Sequence, residues 1–258
     1  MSLRERALGW RRDATASAIS KLFPYEVTEN SFPLDDIRTY AEDGYGIIMV
    51  YNHLTKSDHV RAAAVIVDEV EAVKTRRIAS PIALHQVKML AKLLGRVGKV
   101  ELLPVVTNDT REKFKEEGKK LPPLREQAKM AKDYMQSGVE VLREGGVLAV
   151  APQIGRRSAL GEPEGKVIER FLSEFDDGRI VFLFVGLGIT GVRDYSEEGI
   201  DGYNVRKHYS VTFGRPMTRV ELEITANDSR TTVDNIVFKE LAKVVPPEYA
   251  SAGRASQT

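Results

Sequence analysis

Ile47-Ile48-Met49-Val50-Tyr51-Asn52-His53-Leu54-Thr55-Lys56-Ser57-Asp58 is the stretch on which the reading of this chain depends. Four apolar residues and a tyrosine, introduced by Gly44 and Gly46, read as a buried strand. The strand delivers Asn52 and His53 to its carboxyl end. Ser57 and Asp58 then have the character of a helix N-terminus, because Val60, Ala63, Ala64 and Val67 follow at helical spacing. A histidine on the loop and an aspartate in the first helical turn can therefore face each other. In an open α/β sheet, ligands bind at the carboxyl ends of strands.

The pair permits a specific chemistry. A neutral imidazole takes a proton from a hydroxyl near pH 7. A carboxylate on its other nitrogen fixes the tautomer and stabilises the imidazolium that forms. A base and its orienting carboxylate, without an enzyme nucleophile, suit direct activation of a substrate hydroxyl. The plainer alternative is a solvated histidine followed by a helix-capping aspartate. The position at the end of an apolar strand speaks for the first.

Composition narrows the remaining classes. A length of 258 residues suits one large α/β domain, or a domain with a helical extension. The formal net charge of +1 gives no bulk argument for nucleic acid, so anion binding must rest on local patches. The chain has no cysteine, which excludes disulfides, Cys-ligated zinc and Cys nucleophiles. No stretch approaches the roughly 20 apolar residues of a membrane span. The expected location is cytoplasmic, or peripheral on the inner face of the membrane.

Upstream of the central strand, residues 2–23 have helical periodicity, with Leu3, Ala7, Leu8, Trp10, Ala14, Ala18, Ile19 and Leu22 apolar. Arg4, Arg6, Arg11 and Arg12 crowd the first half. A basic face beside Trp and Leu suits a membrane interface, giving residues 1–22 as a peripheral contact. The alternative is an ordinary helix packed on the domain with its arginines solvated. Residues 24–44 form a connection with a short helix over 34–42. The chain therefore divides into an N-terminal helical extension (1–44), an α/β domain (45–250) and a polar tail (251–258) without fixed structure.

Downstream, helices and strands alternate. The periodicity predicts a helix over 57–75, a short strand within 76–83, a helix over 85–96 and a strand over 99–107. Residues 108–123 are polar and lysine-rich, with Asp109-Thr110 as a cap for a short helix; they are either a loop over a site or a solvated excursion. A long helix over 124–143 stops at Gly145-Gly146. Strands follow at 147–151, 180–187 and 208–213, with a helix over 166–174 between the first two. Asp228 or Ser229 caps a last helix over 231–244. The alternation predicts a mixed, mostly parallel sheet flanked by helices on both faces. The strand at 147–151 runs into Pro152-Gln153-Ile154-Gly155-Arg156-Arg157-Ser158. A glycine and two arginines at a strand end can present N–H groups and guanidinium forks to a phosphate, or form a turn with solvated arginines.

Taken in order, these segments resemble the glycerolipid acyltransferases. Asn52 to Asp58 matches their N-H-x-x-x-x-D motif. Ala151-Pro152-Gln153-Ile154-Gly155-Arg156 resembles their phosphate-binding block, in the A-P-x-x-G-R form of the soluble plastid-type enzymes, with Gln153 where the bacterial F-P-E-G-T-R-S form has Glu. The apolar strand from 181 to 187 sits where the family has its fourth block. Val211-Thr212-Phe213-Gly214-Arg215-Pro216-Met217 is similar to the family's V-x-F-G-x-P-I segment. The resemblance spans residues 47–217. It implies His53 as general base and Asp58 as its orienting partner, with Arg156 of the matching Gly155-Arg156 pair on the acceptor phosphate; Asn52, Arg157, which departs from the plastid-type spacing, and Arg111, after the second block's strand, are the further candidate substrate residues. The implied donor is acyl-CoA or acyl carrier protein. The implied acceptor is a phosphorylated glycerol, either glycerol 3-phosphate or lysophosphatidic acid. No cofactor is expected. Two rivals stand beside this reading: a non-catalytic lipid-binding protein of the same fold, and a metal-dependent hydrolase built on His53, Asp58 and His59.

Overall fold

The computed structural model describes residues 24–54, 58–84, 100–152, 160, 166–175, 178–190, 208–247 and 249. In chain order the strands are β1 (Tyr25–Val27), β2 (Gly46–Tyr51), β3 (Ile78–Ala83), β4 (Val100–Val105), β5 (Val147–Val150), β6 (Ile180–Ile189), β7 (Tyr209–Phe213) and β8 (Met217–Thr218). The helices among the described residues are α1 (Asp35–Glu42), α2 (Asp58–Glu69), α3 (Asn108–Glu116), α4 (Leu124–Arg143), α5 (Val167–Ser173), α6 (Arg219–Asp228) and α7 (Val233–Val244), with a short 3-10 turn at Glu71–Val73.

All eight strands among the described residues join one sheet, ordered β1-β7-β6-β2-β5-β3-β4, with β8 also paired to β6. The five strands from β6 to β4 are mutually parallel. β7 and β8 run antiparallel along the far side of β6, and β1 closes that edge parallel to β7. The sheet is thus mixed and mostly parallel, as the alternation of elements predicts. Every residue of β2, β5 and β6 is buried. Neighbouring strand residues face opposite sides, so both faces of the sheet centre are covered. Helix α4 packs on β2 to β5, and α7 on β6 and β2.

Glycines permit two of the close approaches. A side chain at Gly186 of β6 would collide with the Val244 carbonyl, so α7 can end directly on the sheet. Gly145 has φ +71° and ends α4 in the left-handed region, which fits the stop expected at Gly145-Gly146. At this end of the sheet, the Arg76 guanidinium gathers the carbonyls of Ala41, Gly145 and, at 3.3 Å, Tyr45. One side chain therefore ties the end of α1 to the turns that follow α1 and α4.

Three differences from the sequence reading stand out. Residues 1–44 were expected to lie outside the domain as a helical extension. Instead Tyr25–Val27 is a strand of the sheet, and Ile37 and Ala41 of α1 are in the core. The expected helix over residues 2–23, and with it the membrane contact of 1–22, lies outside the described residues, as do the helix over 85–96 and the tail. Helix α6 had no counterpart in the reading. Because α6 runs through Asp228, the last helix is capped not by Asp228 or Ser229 but by Thr232, whose side chain accepts from Asn235 N at 3.2 Å.

Candidate active site

β2 and β6 lie side by side, and the chain leaves them in opposite directions along the sheet, β2 towards β3 and β6 towards β7. This is the kind of switch point at which α/β sheets open a crevice. Paired residues of β2 and β6 end at Tyr51 and Val185. Beyond that point the Asn52 side chain continues the ladder. Its Nδ2 donates to Leu187 O at 2.8 Å, and its Oδ1 accepts from Leu187 N at 2.7 Å. Both ends of the Asn52 amide are thereby used on backbone, and the residue is fully buried. The geometry gives Asn52 the task of fixing where the chain departs, so that the next residue, His53, is held rigidly.

His53 turns its Nδ1 to Asp58 Oδ2 at 3.2 Å. Asp58 opens α2, where the helix dipole and its unused N–H groups favour a carboxylate. It is completely buried, so its charge requires partners. Leu54 N donates to Oδ2 at 2.5 Å, and the Tyr209 hydroxyl donates to Oδ1 at 3.4 Å. With both oxygens accepting, the carboxylate takes the Nδ1 proton of His53 as a hydrogen bond. The lone pair of the ring then sits on Nε2, the tautomer a general base needs.

A cation completes the surroundings of Asp58. Arg61, one turn along α2, is buried, and its guanidinium carbon lies 3.6 Å from the centre of the Tyr209 ring. Burial pushes the Arg61 guanidinium below its ordinary value, while Tyr209 and Asp58 favour its charge. Neither Arg61 nor Tyr209 figured in the sequence reading. Arg61 had a local signal, a single charge inside Val60-Arg61-Ala62-Ala63-Ala64-Val65. Tyr209 had none, since it meets Asp58 across a separation of 151 residues.

His59 lies on the other side of His53. The two ring centroids are 4.8 Å apart. His59 Nδ1 meets the Tyr51 hydroxyl, and Ser80 Oγ at 3.3 Å. Burial, and after it the neighbouring His53, push the His59 imidazole down to about 3, with Asp58 opposing. His59 is therefore held neutral near pH 7. Its Nδ1 is turned to hydroxyls rather than towards Asp58. No group of three His, Asp or Glu side chains able to hold a metal ion occurs among the described residues.

The suppressed basicity of His59 has a consequence for stability. Its folded pKa lies below the ordinary 6.5, so between the two values the unfolded chain binds more protons. The stabilisation is complete above the unfolded value and is lost as pH falls towards 3. From this group we expect a decline of roughly 2–3 kcal/mol between about pH 7 and about pH 4.5. Urea unfolding at both pH values should show a shallower decline in His59→Gln than in the wild type. Parallel declines would mean that His59 does not stay neutral on acidification.

Among the other expected site residues, Arg111 lies on α3, just beyond the carboxyl end of β4 at the sheet edge. It is exposed, and its Nη2 bonds Gln127 Oε1 at 3.1 Å. Two strands, β5 and β3, separate β4 from β2, so the structure does not bring Arg111 together with His53. The segment with Gly155, Arg156 and Arg157 lies outside the described residues. Its origin is clear, however. β5 runs parallel to β2 in direct contact, with Val150 opposite Val50. The chain thus reaches Pro152 on the same sheet edge as His53 and on the adjacent strand.

No family model matches the sequence. No curated protein matches it either. Among solved structures, a similar chain is the 1-acyl-sn-glycerophosphate (LPA) acyltransferase PlsC from Thermotoga maritima, with a TM-score of 0.44 and 12% sequence identity. The superposition covers 89% of this chain and 81% of that one. Among the described residues, no helix is long and apolar enough to cross a membrane.

Proposed function

We propose that the protein transfers a fatty acyl group from an acyl thioester to a hydroxyl of a phosphorylated glycerol. The observation that carries this reading is the buried His53–Asp58 pair, held by Asn52, Leu54 N and Tyr209 at the carboxyl end of β2. The chain has no cysteine, and the hydroxyls of Tyr51 and Ser80 go to His59 rather than supplying a nucleophile to His53. The acceptor hydroxyl then attacks directly. Its proton passes to His53 Nε2 as oxygen bonds to the thioester carbon, and Asp58 stabilises the imidazolium. Collapse of the adduct breaks the carbon–sulfur bond, and the thiolate takes the proton back from His53. The four sequence blocks in family order favour acyl-CoA or acyl carrier protein as donor, and glycerol 3-phosphate or lysophosphatidic acid as acceptor.

The arginine loop supplies the phosphate recognition in this reading. Arg156 follows Gly155, whose missing side chain permits close approach to an anion, and a guanidinium fork suits phosphate better than an ammonium. Thiol release measured with acyl-CoA across a panel of alcohols is the direct test. We expect turnover with glycerol 3-phosphate or lysophosphatidic acid and none with glycerol. Arg156→Ala should raise the acceptor KM roughly ten- to a hundredfold, the value of one charge-assisted hydrogen bond, while Arg157→Ala changes it less. The donor KM should stay as in the wild type. A rise confined to the donor would assign the loop to the phosphates of the thioester carrier. Acyl-CoA binding without turnover on any acceptor would instead favour a non-catalytic lipid-binding protein.

A further inference from the structure

His59 has a feature that the reaction above leaves unused. It is buried in ring contact with His53, and its Nδ1 is held from two other elements, Tyr51 on β2 and Ser80 on β3. The direction of those hydrogen bonds can be worked out. Burial raises the Tyr51 phenol above its ordinary value, so it stays protonated. The Tyr51 side chain is fully buried with its hydroxyl against His59 Nδ1, while Ser80 Oγ has the Pro81 carbonyl as an acceptor at 3.4 Å. The single phenol proton is then directed to His59 Nδ1, which must accept. A neutral imidazole that accepts at Nδ1 carries its own proton on Nε2. That Nε2–H has no hydrogen-bond partner among the described residues. The two histidines thus hold opposite tautomers: His53 has its lone pair on Nε2, and His59 has a donor there.

We propose that His59 is a second catalytic residue, whose Nε2–H donates to the thioester carbonyl oxygen as that oxygen becomes an oxyanion. This rests on the acyl-transfer reading above. In the adduct, the attacking oxygen and the oxyanion share one carbon, so the base and the oxyanion donor must stand side by side. Two imidazoles with centroids 4.8 Å apart are close enough for that arrangement. As the acceptor oxygen bonds to carbon, its proton goes to His53 Nε2 and the carbonyl π electrons move onto oxygen. His59 stabilises that charge and transfers no proton. A neutral donor is the right kind here, because a second cation against the His53 ring would oppose its protonation. The Tyr51 hydroxyl is what keeps the donor on the correct nitrogen.

The test compares three variants in the thiol-release assay. His59→Leu should lower kcat about a hundred- to a thousandfold, the usual cost of one oxyanion donor, with either KM little changed. His59→Gln keeps an N–H near the Nε2 position and should recover at least about tenfold of that loss. Tyr51→Phe, which releases the tautomer lock, should fall between the two. The acid limb of the pH–rate profile should stay in place in all three, because His53 is intact. A His59→Leu enzyme within about threefold of wild-type kcat would overturn the proposal, as would losses that follow thermal stability without rescue by Gln. Nitrogen-15 spectra of the histidines give a readout that needs no turnover: His59 should be neutral and protonated at Nε2 near pH 7, and a proton on Nδ1 would overturn the proposal. If the wild type itself releases no thiol with any acceptor, the acyl-transfer reading fails and takes this role with it. An active wild type with an equally active His59→Leu sinks this proposal alone.

Discussion

His53→Ala should reduce thiol release to the background rate, a loss of about a thousandfold or more, while the protein stays folded. The magnitude follows from what the ring supplies. Without it the acceptor hydroxyl must lose its proton to water. His59 is close, but its Nδ1 is turned to Tyr51 and Ser80, and burial suppresses its basicity. It cannot stand in for the missing base. The fold should survive because the charge that needs partners belongs to Asp58. Leu54 N and the Tyr209 hydroxyl remain on its oxygens in the variant. Circular dichroism and the urea midpoint serve as controls. Activity within about tenfold of the wild type would remove His53 from the role of base.

The sequence disclosed this site unevenly, for physical reasons. The strand β2, the turn after it and the helix beginning at Asp58 are all local, so periodicity and capping chemistry placed His53 opposite Asp58. The partners that make the pair work are not local. Tyr209 comes from β7, Leu187 from β6 and Ser80 from β3, and nothing in a linear pattern announces them. Asn52 shows the opposite hazard. Beside the proposed base it suggests a substrate ligand, yet both ends of its amide bond the backbone of Leu187.

Helix α6 escaped the reading because its pattern is ambiguous. Val220, Leu222 and Ile224 alternate with charged residues, a period of two that belongs to strands. In the helix only Leu222 and Ala226, four apart, reach the core, and Val220 and Ile224 are left 52% and 55% exposed. The signal that mattered was Thr218-x-x-Glu221, a capping box with both reciprocal bonds formed. β1 escaped for a different reason. Three residues with little burial carry no periodicity, and the strand exists because β7 offers it a free backbone edge. Tyr209, which reaches Asp58, pairs with Tyr25 on that same edge, so a segment assigned to an extension in fact buttresses the strand that orients the carboxylate.

Asp58→Asn should cost about a thousandfold or more in thiol release, comparable to other base–carboxylate pairs. The surroundings show two routes to that loss. Leu54 N–H requires an acceptor at the Oδ2 position. If the amide oxygen takes that place, His53 keeps its tautomer, but the imidazolium loses the negative charge that stabilises it. If the amide is reversed, its NH2 group confronts the Leu54 N–H and donates to His53 Nδ1, leaving the lone pair on the wrong nitrogen. Both routes slow the chemical step rather than substrate binding, so kcat should fall while KM changes little. Nitrogen-15 spectra distinguish the routes by which ring nitrogen of His53 carries the proton. The substitution also removes a carboxylate that favours the buried charge of Arg61, so stability should drop by about 1–3 kcal/mol. Rates must accordingly be normalised to the folded fraction. A normalised loss below about tenfold would reduce Asp58 to a helix-capping residue and His53 to an unassisted imidazole.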